Sequence, residues 1–167
     1  MRLGEIRGLR WSAIDLDGGA IHVTTSMSVD GTPQATKTEA GNRTVPLVPA
    51  LRRLLVQWQL RSPRSRPNDL VVCTAEGRPV QERNVRRALD DAKEAAGLDT
   101  TAGRPSAHSL RHSFASVLAT SGLAPTTLSR IVGHSDAGFT LKTYARDARS
   151  NEAVAEAVLA SAAEAGL

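Results

Sequence analysis

The residues with the clearest chemical potential are one tyrosine, several histidines and two arginines, spread over three short motifs. Tyr144, the only tyrosine of the chain, is separated by seven residues from Gly133-His134-Ser135-Asp136. Upstream lie His108-Ser109-Leu110-Arg111-His112 and Arg2-Leu3-Gly4-Glu5. A phenol can act as a nucleophile, and imidazole and guanidinium groups can donate hydrogen bonds to a phosphate. The combination favours cutting and rejoining of DNA through a phosphotyrosyl bond.

Length and composition are those of a single globular domain that is rich in arginine. The chain has 167 residues, a net charge of +4 and a pI near 10.0. Of the 21 basic residues only Lys37, Lys93 and Lys142 are lysine. Guanidinium groups bind oxyanions at two points, so this balance suits contact with phosphates. Aromatic residues are only 3% of the chain, which argues against a base-stacking platform for single-stranded nucleic acid.

The single cysteine and the hydropathy of the chain indicate the cellular compartment in which the protein is expected. Cys73 lies in the apolar run Leu70-Val71-Val72-Cys73 and is expected to be a buried strand residue. One cysteine excludes a disulfide framework within the chain and favours a reducing compartment. No signal peptide and no apolar stretch of about 20 residues is visible, so we expect a cytoplasmic protein without a membrane partner.

The first half of the chain predicts a helix, a small sheet and two more helices. The first ten residues form a helix with Leu3, Ile6 and Leu9 on one side, and the start inside a motif suggests that a preceding part is missing. Three strands in a meander are then expected at Ala20–Thr24, Gln34–Thr38 and Arg43–Leu47. A helix opening at Pro49 carries Leu51, Leu54, Leu55 and Trp58, a strand covers Leu70–Thr74, and a further helix carries Val85, Leu89, Ala92 and Ala96.

The last third is predicted to be helical throughout. A helix from Ser106 places Leu110, Phe114, Val117 and Leu118 on its core face. A short helix opens at Pro125 and closes at Gly133, a residue suited to the left-handed stop, and another helix contains Leu141 and Tyr144. The tail from Asn151 to Ala165 is an amphipathic helix with Val154, Ala155, Val158, Leu159 and Ala162 on its apolar face. Because most of these side chains are small, that helix is expected to dock against another surface.

Each candidate residue also has an ordinary structural interpretation. His108 and Arg111 lie about 60° apart on their helix, and His112 joins the same polar face, which could simply face water. Lys37 could be a solvated hairpin lysine, and Arg2 with Glu5 a local surface ion pair. His108 and His112 have the spacing of zinc helices, but Ser109 replaces the glutamate that the metalloprotease signature requires. We therefore expect no metal and no other cofactor.

These motifs, in this order, resemble the catalytic domain of the tyrosine recombinases, the phage integrase family. The resemblance spans essentially residues 1–167. Four stretches carry it in addition to the tyrosine: Arg2-Leu3-Gly4-Glu5-Ile6-Arg7-Gly8-Leu9-Arg10-Trp11-Ser12-Ala13-Ile14-Asp15, Thr36-Lys37-Thr38-Glu39-Ala40-Gly41-Asn42-Arg43-Thr44-Val45-Pro46-Leu47, His108-Ser109-Leu110-Arg111-His112-Ser113-Phe114-Ala115 and Val132-Gly133-His134-Ser135. The implied fold is α+β and mainly helical, with a small three-stranded antiparallel sheet.

The resemblance also implies roles for individual residues. The catalytic set would be Arg2, Lys37, His108, Arg111, His134 and Tyr144, with Glu5 and His112 in support. The implied partners are double-stranded DNA and further recombinase protomers, as a tetramer on paired sites and a monomer when free. Family members usually carry an N-terminal helical domain that clamps the other side of the DNA, and the resemblance leads us to expect that this domain and the start of the first helix are absent from this chain. Weak support for Arg2 is therefore expected.

Two other functions stay open on the sequence. A type IB topoisomerase-like enzyme that relaxes DNA shares the same chemistry. A DNA-binding remnant without catalysis belongs to a different class, although all six catalytic positions are filled here. Phage integration cannot be told from plasmid or chromosome resolution by these motifs, and no residue pattern specifies the DNA site.

Overall fold

The structure is a computed structural model, and it describes residues 1–35, 41–97, 106–121 and 123–133. Within them the protein is α+β and mainly helical, as predicted. Five helices are α1 (Leu3–Arg7), α2 (Pro49–Arg61), α3 (Glu82–Ala95), α4 (Ala107–Thr120) and α5 (Pro125–Val132). Five short strands are β1 (Ile14–Asp15), β2 (Ala20–Val23), β3 (Thr25–Met27), β4 (Pro33–Ala35) and β5 (Arg43–Pro46). The predicted helices around Tyr144 and along the tail lie outside the described residues.

The sheet is antiparallel and three-stranded, but the predicted meander is wrong. β2 pairs directly with β5, with Ile21 opposite Val45, and β1 forms the other edge. The strand predicted from Gln34 pairs instead with β3 in a separate two-stranded sheet. The prediction ended the first strand at Thr24 and missed β3, which begins at Thr25 and is the pairing partner of β4.

The first helix is shorter than the ten residues predicted, because Gly8 ends it at Arg7. Its polar residues Glu5 and Arg7 are buried, and α1 packs closely on β3. A Cβ atom at Gly4 would lie 2.6 Å from Ser26 Oγ and 2.7 Å from the Met27 carbonyl oxygen. Glycine at this position therefore permits the close approach that places Glu5 inside the protein.

The larger hydrophobic cluster packs beneath the three-stranded sheet. Its buried members are Trp11, Ile14, Ile21, Val23, Leu47 and Val71. α2 begins with Pro49 at its first position, as predicted, but only Leu55 of its apolar repeat packs on this cluster, while Leu51, Leu54 and Trp58 are exposed. The Trp58 indole still reaches the Val71 carbonyl at 2.7 Å.

The strand predicted at Leu70–Thr74 is not formed. Leu70 and Cys73 make isolated bridges to Arg10 and Pro79, and Cys73 is half-buried rather than buried. These bridges tie the segment to two different neighbours, which prevents a continuous ladder. The helix predicted around Val85 and Leu89 is confirmed as α3.

A second cluster joins the last two described helices. Ala115, Leu128 and Val132 are buried there, with Leu118 and Ala119 against them. The prediction that Leu110 and Phe114 face the core is wrong, since they are 51% and 47% exposed. Ala115 is fully buried because α4 approaches α5 through its small side chain, and this rotates the flanking large residues outward.

Among the described residues, no helix is long and apolar enough to cross a membrane.

Candidate active site

A buried carboxylate organises the site. Glu5 is 2% exposed and accepts four hydrogen bonds. Its Oε2 accepts from the Arg2 backbone N–H at 2.6 Å and from Arg43 Nη2 at 2.7 Å. Its Oε1 accepts from Arg43 Nη1 at 2.9 Å and from Arg2 Nη1 at 3.2 Å. The interpretation of Arg2 and Glu5 as a surface ion pair is therefore wrong, and Arg2 is firmly supported.

The arginines keep this buried carboxylate ionised. Burial alone would raise the pKa of Glu5, since the charged form loses hydration. The side-chain hydrogen bonds from Arg43 and the backbone hydrogen bond from Arg2 outweigh burial and lower the pKa from 4.5 to about 2. Glu5 is thus a fixed negative charge at neutral pH, able to hold two guanidinium groups.

Arg43 is the site residue that motif reasoning missed. It begins β5, where alternation points Arg43, Val45 and Leu47 to the interior. Its side chain is only 1% exposed, and its Nε donates to the Ile131 carbonyl at 3.0 Å. The sequence does contain a signal for this role, since Arg43 alternates with the two inward apolar residues Val45 and Leu47. An arginine on the inward face of a strand is expected to be buried, and a buried arginine requires a buried partner.

The C-terminal end of α5 is the second organising feature. Three arginines donate to three consecutive carbonyls there: Arg43 to Ile131, Arg111 to Val132, and Arg2 to Gly133 at 2.8 Å. The last carbonyls of a helix lack partners within the helix and carry its partial negative charge. Guanidinium groups satisfy both requirements, so the helix end gathers side chains from α1, β5 and α4.

Gly133 gives this helix end its shape. It closes α5, as predicted, with φ 75° in the left-handed region that favours glycine. A Cβ atom here would lie 2.8 Å from Arg43 Nη1 and 2.9 Å from its Cζ. The glycine therefore allows the turn and also leaves room for the Arg43 guanidinium.

Arg111 faces the protein and not the solvent. It lies one turn before Ala115 on α4, and its Nη2 donates to the Val132 carbonyl. The water-facing interpretation is wrong for this residue. The structure thereby brings Arg2 and Arg111, predicted from two distant motifs, to adjacent carbonyls.

The two histidines of the same helix differ in exposure. His108 is exposed and His112 is half-buried. In the part of the chain that the structure describes, no group of three or more His, Cys, Asp or Glu side chains could hold a metal ion. Lys37, His134 and Tyr144 lie outside the described residues, so their predicted roles stay predictions.

Three guanidinium groups of the described residues, those of Arg2, Arg43 and Arg111, gather around the Glu5 carboxylate and the end of α5. Arg2 is half-exposed among them, with 51% of its side chain accessible. Such a cluster suits an anion with several oxygens.

Comparison with known proteins agrees with this architecture. The profile of the phage integrase family matches residues 1–151. An integrase of Streptomyces ambofaciens is 32% identical over 89% of this chain and 42% of its own length. The tyrosine recombinase XerC of Brucella melitensis biotype 1 is 31% identical over 76% of this chain and 39% of its own.

Solved structures share the fold. The Tn1549 transposon integrase in complex with circular intermediate DNA superposes with a TM-score of 0.71 at 21% identity, over 86% of this chain and 51% of that one. The XerH site-specific recombinase bound to palindromic difH substrate gives 0.66 at 23%, over 92% and 41%. The chain belongs to the phage integrase family, the tyrosine recombinases. It spans about two fifths of the length of the curated relatives that it matches.

Proposed function

We propose that this chain is the catalytic domain of a site-specific DNA recombinase that cleaves and rejoins strands through a 3′-phosphotyrosyl intermediate. The observation that carries the proposal is the convergence of Arg2 and Arg111 on the adjacent carbonyls of Gly133 and Val132. Two guanidinium groups fixed side by side, with Arg2 half-exposed, can bind the non-bridging oxygens of one phosphate.

In the proposed first step Tyr144 is the nucleophile. Its phenolic oxygen bonds to the scissile phosphorus, and the bond from phosphorus to the 5′ oxygen breaks. His108 takes the phenolic proton as general base, and Lys37 gives a proton to the leaving 5′ oxygen. A phenol has a pKa of about 10, so attack near neutral pH benefits from this proton transfer.

Charge stabilisation falls to the cationic and imidazole groups. As negative charge grows on the non-bridging oxygens, Arg2, Arg111 and His134 donate to them, and each good donor is worth about 3 kcal/mol. The arginines supply the positive charge that a pair of metal ions supplies in many nucleases. Glu5 and His112 support the donors.

The second step reverses the first with a different strand. A 5′ hydroxyl from another strand attacks the phosphotyrosyl phosphorus, the phenolate leaves and recovers its proton, and the phosphodiester bond energy is conserved. Joining strands from two sites needs several active sites in one complex, so the proposal includes a tetramer on paired sites and a cytoplasmic location beside the DNA. The XerH and Tn1549 proteins were solved bound to DNA, which supports DNA as the partner.

The function can be tested before the DNA site is known. The full-length protein is incubated with a library of duplexes that carry a nick beside a randomised segment. After cleavage the short fragment with the new 5′ hydroxyl diffuses away, and the covalent link cannot be reversed. Denaturation with detergent followed by recovery of protein-linked DNA and sequencing should give an enriched motif. Two duplexes with that motif should then yield exchanged strands.

A parallel assay on supercoiled plasmid, and binding of the same library under native conditions, identify the competing functions. Relaxation of supercoiled plasmid without an enriched motif and without strand exchange would indicate a type IB topoisomerase-like enzyme. DNA retained under native conditions, with no denaturation-resistant link, would indicate a non-catalytic binder and would refute the recombinase proposal.

A further inference from the structure

Arg43 connects the separate parts of the candidate site, although the predicted catalytic set omits it. Its guanidinium makes two bonds to Glu5, one to Ile131 and a longer one of 3.3 Å to the Gly41 carbonyl. All of its donor nitrogens are used, and its side chain is 1% exposed. A phosphate therefore cannot approach it as it can approach Arg2.

The two bonds to Glu5 fix the carboxylate in both position and rotation. A guanidinium fork holds both oxygens of a carboxylate in one plane, which a single ammonium group cannot do. Glu5 in turn holds Arg2 by its backbone N–H and by Nη1. The orientation of the Arg2 guanidinium is therefore set through Glu5 by Arg43.

The bond to Ile131 fixes the other support of Arg2. Arg43 Nε holds the helix end at Ile131, two residues before the Gly133 carbonyl that accepts from Arg2 Nη2. Arg2 thus has two anchors, the carboxylate and the helix end, and Arg43 touches both.

We propose that Arg43 is a positioning residue that sets the Arg2 guanidinium for the scissile phosphate by clamping Glu5 to the end of α5. The inference rests on the proposed recombinase function. It assigns to Arg43 an effect on the chemical step that is transmitted through Arg2, with no contact to the DNA.

The test is a double-mutant cycle on the rate of covalent adduct formation. Arg43→Lys keeps the charge and loses the fork. Single-turnover rates are measured at saturating DNA on the wild type, Arg43→Lys, Arg2→Lys and the double variant, using the nicked duplex recovered from the random library. Misplacement of a positioning group costs up to about 100-fold, so Arg43→Lys should slow adduct formation at least about 10-fold with DNA affinity nearly unchanged.

The cycle separates positioning from simple stabilisation. If Arg43 acts through Arg2, then Arg43→Lys should slow the Arg2→Lys protein by less than about 3-fold, because the group being positioned is already altered. Rate losses that multiply independently, or no loss in the single variant, overturn the proposal.

A matched control is available on α1. Arg7 is also a buried arginine that donates to two carbonyls, those of Val80 and Ser28, but it does not touch Glu5 or α5. Arg7→Lys should lower the melting temperature to a similar extent while leaving the rate of the folded protein within about 3-fold and additive with Arg2→Lys.

Two further outcomes concern folding of the variants and activity of the wild type. If Arg43→Lys does not fold, the cycle is repeated with Glu5→Gln/Arg43→Gln, which removes both buried charges together. If this double variant does not fold either, the role of Arg43 is purely structural and the proposal is overturned. If the wild type itself forms no adduct, the recombinase function fails, whereas a normal wild type with an additive cycle refutes only the role of Arg43.

Discussion

Arg2 and Arg111 donate hydrogen bonds to consecutive carbonyl oxygens, those of Gly133 and Val132, at the end of α5. Arg2 precedes α1 at the start of the chain, and Arg111 lies far from it in sequence, on α4. The end of α5 therefore fixes the positions of both guanidinium groups. His134 directly follows Gly133 in the sequence.

Replacement of Arg111 by lysine tests the need for the planar fork. Arg111→Lys retains the charge but cannot hold the Val132 carbonyl and two phosphate oxygens in one plane, so adduct formation should fall about 100-fold. Single-turnover cleavage of the nicked duplex measures this. Arg87→Lys, at an exposed position of α3, is the control and should cleave normally. Near-normal cleavage by Arg111→Lys would show that Arg111 has only a structural role.

The pH dependence of stability tests the Glu5 cluster. Because the pKa of Glu5 is about 2 in the folded state and 4.5 as the ordinary value, the unfolded chain binds its proton first as the pH falls. The contribution of Glu5 is thus complete above about pH 5 and is lost towards pH 2, amounting to about 3 kcal/mol of unfolding free energy. Denaturant titrations at each pH measure it.

Two variants isolate that carboxylate from the rest of the chain. Glu5→Gln should be less stable at neutral pH, since Arg43 stays buried without its counter-charge, and should lack this part of the acid-dependent loss. Asp17→Asn changes a fully exposed carboxylate and should keep the wild-type pH profile. A Glu5→Gln profile parallel to the wild type would contradict the ion-pair assignment.

A pair of glycine variants separates backbone strain from the contact with Arg43. Gly133 and Gly97 both have positive φ, 75° and 62°, but only at Gly133 would a Cβ atom meet another side chain. Each alanine should cost about 1 kcal/mol of left-handed strain. Gly133→Ala should cost more than Gly97→Ala and should also slow adduct formation. Equal losses in urea unfolding, with cleavage intact, would show that Arg43 moves aside freely.

Lys37 can be tested through the leaving group. Lys37→Ala should strongly slow adduct formation on a normal duplex, because the 5′ oxygen then leaves without a proton. A duplex with sulfur in place of that oxygen releases a thiolate, and thiols have a pKa of about 8.5, so the variant should approach wild-type rates on it. An unchanged defect on the sulfur substrate would remove Lys37 from the acid role.

The sequence predicts correctly those helix ends that are marked by a proline or a glycine. Pro49 and Pro125 open α2 and α5, and Gly133 closes α5, because proline and glycine act through their own backbone preferences. The core face of α4 was mistaken at Leu110 and Phe114, since the close approach through Ala115 depends on the partner helix and not on local hydrophobicity.

The site was predictable to the extent that its motifs are local. The sequence predicts Arg2, Glu5 and Arg111 as site residues, and the structure brings Arg2 and Arg111 to one helix end, with Glu5 bonded to Arg2. Arg43 was not, because its partners Glu5 and Ile131 are distant in sequence and only the fold pairs them. The predicted strand pairing is wrong for the same reason, because β2 pairs with β5 across a long intervening segment.

In the proposed mechanism Tyr144 forms the covalent link to DNA. The full-length protein and its Tyr144→Phe variant are incubated with the labelled nicked duplex, denatured and digested, and the DNA-linked peptide is identified by mass spectrometry. We expect a nucleotide on Tyr144 of the wild type, and in the variant unchanged DNA binding with no adduct. An adduct that persists in Tyr144→Phe, or a link mapped to another residue, would contradict it.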